Sequence, residues 1–345
     1  MDKKYVDCAV EETLKLLSID SPTGYTKKCI EFVESEFKSM GYETKRTIKG
    51  GLIVDFGGKD STNGLLLMAH VDTIGAMVSE IKQNGRLRMT KLGGLHPVGV
   101  EGENCYLYTR DNRRYEGTIQ IPNPSVHVNT SFDSSPRDWE TLEFVLDENV
   151  KNKEDVLALG ISVGDPIALW PNAHVTESGY IKSRYLDDKL SVGIVMALAK
   201  YIKDNAITLE RRTHFHVTVF EEIGHGGSSS VPVGVKDALS IDMGCVGLGL
   251  ECTERDVSIC AKDARGPYNY DMVSELIEAA RKESASYKVD IYRNYSSDVE
   301  TTLTSGHDIR HALIGPGVYA SHCNERSHIE GVKNTLLVLK GFLKI

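Results

Sequence analysis

The sequence predicts an α/β fold: a mostly parallel sheet flanked by helices, with a small all-β domain inserted in it. Three observations predict it. Strand-like and helix-like segments alternate near the start of the chain and again from about residue 177. Residues 65–69, LLLMA, are apolar at every position, as a strand buried on both faces requires. Between them, residues 75–174 read as short alternating strands broken by turn residues, with one short helix near 153–159. The expected division is therefore a discontinuous α/β domain, 1–74 with 175–345, and a β-rich insert, 75–174.

In chain order, residues 3–18 place Val6, Ala9, Val10, Leu14 and Leu17 at helical spacing. After the loop SPTG (21–24), a second amphipathic helix carries Ile30, Phe32, Val33, Phe37 and Met40. Strands follow at YETKRT and LIVDF, then the apolar strand that runs into His70-Val71-Asp72. Within the insert, strands are expected at MVSEIKQNG, RLRMT, ENCYLYT, RYEGTIQI, HVNT and ETLEFVLD. Beyond it come a helix at 187–205, strands at 213–220 and 238–243, the helix SELIEAARKES, the strand HALIGPG and a closing amphipathic helix, IEGVKNTLLVLKGFL.

Composition narrows the function. A net charge of −9 over 345 residues argues against nucleic acid or an anionic membrane as partner. The first twenty residues lack the uninterrupted apolar run of a signal peptide, and no stretch approaches the ~18 apolar residues of a membrane span. Seven cysteines with no CxxC pair fit reduced thiols and exclude a zinc-finger pattern, so a cytoplasmic protein is expected.

Ligands of such sheets bind beyond the carboxyl ends of the strands. The polar residues at those ends are all of metal-binding type: His70 and Asp72, Glu221 and Glu222, Asp242, the pair Asp187-Asp188 opening a helix, and His322 and His328 after the last strand. Adjacent buried carboxylates such as Glu221 and Glu222 repel unless a cation or hydrogen bonds compensate. One ligand set is His70, Asp187, Glu222, Asp242 and His322, whose three carboxylates and two neutral imidazoles carry −3. Two divalent cations with one bridging hydroxide bring that to zero. Mixed imidazole and carboxylate donors suit zinc, cobalt or manganese. Asp188 is an alternative to Asp187, and His328 to His322.

HVD (70–72), LDDK (186–189), EEIGHGG (221–227), IDMG (241–244) and SHCNERSH (321–328), in this order and with the β insert between the first two, resemble the co-catalytic metallo-aminopeptidases. More narrowly they resemble the tetrahedral-shell aminopeptidases of metallopeptidase family forty-two, some of whose members carry endoglucanase labels. The resemblance covers essentially the whole chain. It implies that His70 binds one of two metal ions, oriented by Asp72, that Asp187 bridges both, that Glu222 and Asp242 each bind one, and that Glu221 is the general base. It also implies peptide substrates cleaved at the amino terminus, and a homo-oligomer of dimers built through the insert, up to a twelve-subunit shell. A related dinuclear carboxypeptidase or deacylase is the nearest rival reading, and a glucanase a further one.

Overall fold

The computed structural model describes residues 1–345, which fall into two compact units. The first joins Met1–Asp72 to Asn172–Ile345, and the second is Thr73–Pro171.

The first unit begins with helices α1 (Lys3–Leu17) and α2 (Lys27–Ser39) and strands β1 (Glu43–Arg46), β2 (Leu52–Gly57) and β3 (Asp60–His70). Strands β4 (Gly75–Ile81), β5 (Leu87–Leu92), β6 (Asn104–Tyr108), β7 (Arg114–Gln120) and β8 (Glu143–Leu146), helix α3 (Lys153–Ala158) and strand β9 (Pro166–Leu169) make the second unit. The chain then returns with β10 (His174–Val175), β11 (Tyr180–Ser183), α4 (Leu186–Asp204), β12 (Arg211–Thr218), β13 (Val235–Ile241), β14 (Gly244–Val246) and β15 (Val257–Lys262). It closes with α5 (Tyr270–Lys282), β16 (Tyr287–Ile291), α6 (Asp298–Thr304), β17 (Arg310–Tyr319), β18 (Glu325–His328) and α7 (Ile329–Leu343).

The first unit is built on a sheet of order β1-β2-β12-β3-β13-β17-β18-β11-β10. Its middle is parallel: β3 pairs with β12 and β13, and β13 with β17. The antiparallel pairs lie toward the margins, β1 with β2 on one side and β17, β18, β11 and β10 on the other. The expected α/β class is the one found. β3 explains the parallel middle, because residues 64–70 are all buried and only a central strand meets that pattern. Helix α4 packs on β3 and β17 and against α1 and α7. At Gly193 the approach of α1 is so close that an added Cβ would stand 2.7 Å from the Ala9 carbonyl oxygen. Phe37 of α2 packs edge-on to Phe215 of β12, with ring centroids 5.9 Å apart, and burial of these rings fixes α2 on the sheet.

The second unit is a closed antiparallel barrel, β4-β5-β8-β7-β6-β9. Val78, Met89, Leu107, Ile119, Phe144 and Ile167 fill it, one from each strand. Closure leaves no free sheet edge. Two expectations fail here. The segment HVNT is not a strand but a series of turns within an exposed loop between β7 and β8, since its apparent alternation has no partner strand to pair with. Conversely β9, with β15, β16 and β18 in the first unit, escaped the sequence reading, since none carries the long apolar run or clear alternation that marks β3. No helix of the chain is long and apolar enough to cross a membrane.

Candidate active site

β3, β12, β13 and β17 run parallel, so their carboxyl ends open on the same side of the sheet. Thr218, the last residue of β12, lies level with His70, the last of β3. Asp242 follows β13 directly and its N–H donates to the Ile314 carbonyl of β17. Asp187 and Asp188 stand at the start of α4 with non-helical backbone angles, joined by a cis peptide bond. His322 sits in the turn after β17 with φ 64°.

His70 is buried, and its Nδ1 lies 2.8 Å from the backbone carbonyl oxygen of Asp72. A carbonyl only accepts, so Nδ1 carries the hydrogen and the lone pair of the neutral ring sits on Nε2. Nε2 lies 3.1 Å from Asp187 Oδ1 and 3.7 Å from Glu221 Oε2. On the other side, His322 Nε2 lies 3.3 Å from Asp187 Oδ2 and 3.5 Å from Glu222 Oε2. Asp187 thus presents one oxygen to each imidazole. The ligand atoms of His70, Asp187 and Glu222 lie within 4.8 Å of one another, and so do those of His70, Asp188 and Asp242. The seven residues expected in the site therefore meet, and Asp188 joins them.

His328 does not. Its Nδ1 accepts the Glu330 N–H, capping α7, and its Nε2 is 2.9 Å from the Ser178 carbonyl oxygen, so both nitrogens are engaged elsewhere. Lys189 of the LDDK motif is buried with its Nζ on the carbonyls of Leu16 and Ile19, where it ties α4 to the end of α1.

A strand would point Glu221 and Glu222 to opposite faces. Here β12 has ended, Phe220 adopts φ 68°, and Glu221–Ile223 form a turn of 3₁₀ helix that puts both carboxylates on the site. Asp72 holds that turn: its carboxylate accepts the N–H groups of Glu221 (3.1 Å) and Glu222 (3.3 Å) and the Thr23 hydroxyl (2.8 Å). The expected contact between Asp72 and the His70 ring is made by the backbone carbonyl, not the carboxylate, which is 3.7 Å away.

Four further residues outside the expected site act on it. Glu325 of β18 accepts the N–H groups of Asp187 (3.0 Å) and His322 (2.9 Å), linking the two segments. Thr23 steadies Asp72. Asp298 opens α6, where its neighbour Ser297 makes no side-chain capping bond. The Asp298 carboxylate accepts the Thr218 hydroxyl and abuts Gly226, where any Cβ would collide with it. Lys49 closes the same glycine turn from the other side, donating to the carbonyl oxygens of His225 and Gly226 (2.6 Å to the latter) and to Ser228 Oγ (2.9 Å). Lys49→Met removes three bonds to the turn that carries the glutamates. It is expected to lower kcat about ten- to a hundredfold through misplacement of Glu221, with metal content and the far-ultraviolet circular dichroism spectrum unchanged. An unaltered kcat would show that the turn holds without it.

The electrostatics describe a crowded anionic site. Burial, reinforced by neighbouring carboxylates, pushes Glu221, Glu222 and Asp188 well above the usual carboxylate range. Burial and the Asp187 charge lift Asp242 to about 7 and Glu325 to about 8. Asp187 alone is held low: burial opposes its charge, but the His322 and His70 rings overcome it. Burial also opposes charge on His322, yet Asp187 and Glu222 raise it to about 10. No lysine or arginine pairs with Asp187, Asp188, Glu221 or Asp242, and Asp188 Oδ1 is buried without any partner. Buried carboxylates in this number stay ionised together only beside a cation. Imidazole and carboxylate donors around an unpaired oxygen fit a divalent metal.

Residues 50–337 match the family model described as M42 glutamyl aminopeptidase. The chain belongs to this family. YhfE of Bacillus subtilis, described as an aminopeptidase, is 44% identical over 325 residues, 94% of each chain. Among solved structures, the aminopeptidase APDkam598 of the archaeon Desulfurococcus kamchatkensis aligns with a TM-score of 0.87 at 21% identity, over 98% of this chain and 95% of that one. The TET1 peptidase of Pyrococcus horikoshii, which can assemble into a tetrahedron or a large octahedral shell, aligns with a TM-score of 0.85 at 22% identity, over 96% and 98%. M42 peptidases are metal-dependent, and this M42 chain is a hydrolase acting as an aminopeptidase.

Proposed function

We propose that this M42 aminopeptidase works through a dinuclear metal centre with Glu221 as general base. The observation that carries the proposal is Asp187, one buried carboxylate whose two oxygens face two different imidazole Nε2 atoms, at 3.1 and 3.3 Å. His70 and Asp242 would hold one ion, Glu222 and His322 the other, and Asp187 both. Zinc or cobalt suits this donor set best, with manganese a third candidate. Such a pair supplies Lewis acidity, polarising a scissile carbonyl and making water a stronger acid. The rest is the work of side chains. The carboxylate cluster attracts the free amino group of a peptide, which distinguishes an amino-terminal residue from an internal one. Glu221, which carries no metal in this scheme, accepts a proton from the attacking water and returns it to the leaving amine. Asp72 and Thr23 keep Glu221 in place during both transfers.

Purified protein should carry close to two divalent ions per chain, lose activity to chelator and regain it with zinc, cobalt or manganese. It should cleave free aminoacyl amides and leave their N-acetylated forms intact. A single ion at full activity would reject the dinuclear centre, and cleavage of the blocked amides would reject the role of the amine.

For the barrel unit we propose association between copies of the chain. A six-stranded barrel with its own core is not needed for the chemistry, and its loop between β7 and β8 exposes Val126 and Val128 to 61% and 70%. The P. horikoshii TET1 peptidase can assemble into a tetrahedron or a large octahedral shell and has been solved as a dodecamer; by likeness we infer dimers joined through this unit and a twelve-chain particle. Light scattering should give a multi-chain particle. Replacing residues 73–171 by a short linker should lower the number of chains in it, and an unchanged number would end the idea.

A further inference from the structure

Beyond the glutamate turn the first unit carries a groove of about 550 Å³ that the chemistry above does not use. Lys45 of β1, Ile53 of β2 and His214 of β12 form its floor, and Val231 and Val233 of the loop that follows the turn form one wall. Helix α2 does not cover this floor: Phe215 faces Phe37 of α2, so its neighbour His214 points to the opposite side of the sheet. Ile48, at the tip between β1 and β2, and Val233 stand wholly exposed at the rim. The tip and the loop meet at the glutamate turn, where Lys49 donates to the Gly226 carbonyl (2.6 Å) and to Ser228 Oγ (2.9 Å). The groove therefore leads away from the active site.

β1 also leaves one backbone edge open. Thr47 N–H donates to the Gly51 carbonyl (2.9 Å), and the pairs Lys45–Ile53 and Glu43–Asp55 fall in step with it, so these residues turn their backbone groups toward β2. Thr44 and Arg46 turn theirs outward, where no strand lies. An open edge beside an apolar groove is the arrangement that takes up an extended peptide, with its main chain on the edge and alternate side chains in the groove.

Resting on the aminopeptidase reading of the site, we propose that this edge and groove bind the downstream part of long peptide substrates, as a strand added antiparallel to β1. Glu221 hands a proton to the leaving amine, so the departing chain passes the glutamate turn and meets the tip between β1 and β2. β1 runs from Glu43 toward that tip, and a peptide leaving the site runs the other way, which makes the pairing antiparallel. Thr44 and Arg46 offer the peptide their N–H and carbonyl groups, while its alternate side chains pack against Ile48, Ile53, Val231 and Val233. The four residues of β1 span about 13 Å, so the site holds roughly four residues of substrate. It asks for apolar side chains at alternate positions and for nothing more specific. Aminoacyl amides and dipeptides end before they reach it.

The test uses the metal-supplied full-length enzyme and two substrates with the same first residue. One is the best-cleaved aminoacyl p-nitroanilide, the other a soluble peptide of about ten residues with apolar residues at alternate positions. Val233→Asp puts a charge on the rim of the groove. Thr44→Pro deletes an outward N–H and leaves the pairing with β2 in place, as an edge strand tolerates. Each should raise KM for the long peptide about tenfold, the size of one lost hydrogen bond or one lost valine contact. Each should leave kcat/KM for the p-nitroanilide within about twofold of wild type, and Val233→Ile should leave both substrates unchanged. A long peptide that either of the first two variants leaves unaffected, or an equal fall for both substrates, overturns the proposal while leaving the aminopeptidase reading standing. So does a lower particle mass by light scattering in Val233→Asp, which would give the groove to a second copy of the chain. Wild-type enzyme that cleaves no aminoacyl p-nitroanilide overturns both.

Discussion

Glu221→Gln is expected to lower kcat by about 10²–10⁴-fold, the usual cost of losing acid–base catalysis, while the protein keeps its metal. The substitution preserves volume and removes only the proton acceptor. Its neighbour should behave differently. Glu222 faces His322 at 3.5 Å on the far side of Asp187, so Glu222→Gln weakens a metal ligand. Metal content should fall, and excess metal should restore part of the activity. Excess metal should do nothing for the Glu221 variant. Both backbone N–H groups rest on Asp72, so neither substitution disturbs the turn itself. Metal analysis beside steady-state kinetics separates the two roles, and equal metal loss in both variants would refute the division between base and ligand.

His322→Ala should abolish turnover and lower metal content, because it removes the only imidazole facing Asp187 Oδ2 and Glu222. His328→Ala is the matched control. It removes a cap from α7, which costs about 1 kcal/mol of stability, and should leave metal and kcat near wild type. The reverse pattern would mean that the segment after β17 is arranged differently in the working enzyme.

The residues that meet at the site were legible because they obey a positional rule. Polar, metal-binding types at the ends of strands too apolar to be exposed stand out, and His70, Glu221, Glu222 and Asp242 all do so. The pair Asp187-Asp188 was legible as a pair only, since composition cannot say which carboxylate turns toward His322. What Glu325, Thr23, Lys49 and Asp298 do was hidden for a different reason. They act on backbone groups or hydroxyls of distant segments, and a lysine that caps three carbonyl or hydroxyl oxygens looks in sequence like any surface lysine. The same holds for strands. β3 announced itself by an unbroken apolar run, whereas β15, β16 and β18 are strands because of what they pair with.

The order in which the sheet is threaded governs how the enzyme comes into being. β3 is an inner strand, yet both of its partners, β12 and β13, lie beyond the whole barrel in sequence. At the roughly 5–20 residues per second of translation, the apolar stretch 65–69 waits on the order of ten seconds or more for its neighbours. The barrel pairs only within residues 75–169 and can close during that wait. A nascent chain is thus a finished barrel with a bare, sticky strand before it, the kind of segment that chaperones shield and that aggregates when they do not. Because the proposed ligand His322 follows β17, the proposed site cannot be completed until that strand has emerged. On the proposed ligand set, chains and fragments cut short of that residue would carry no peptidase activity.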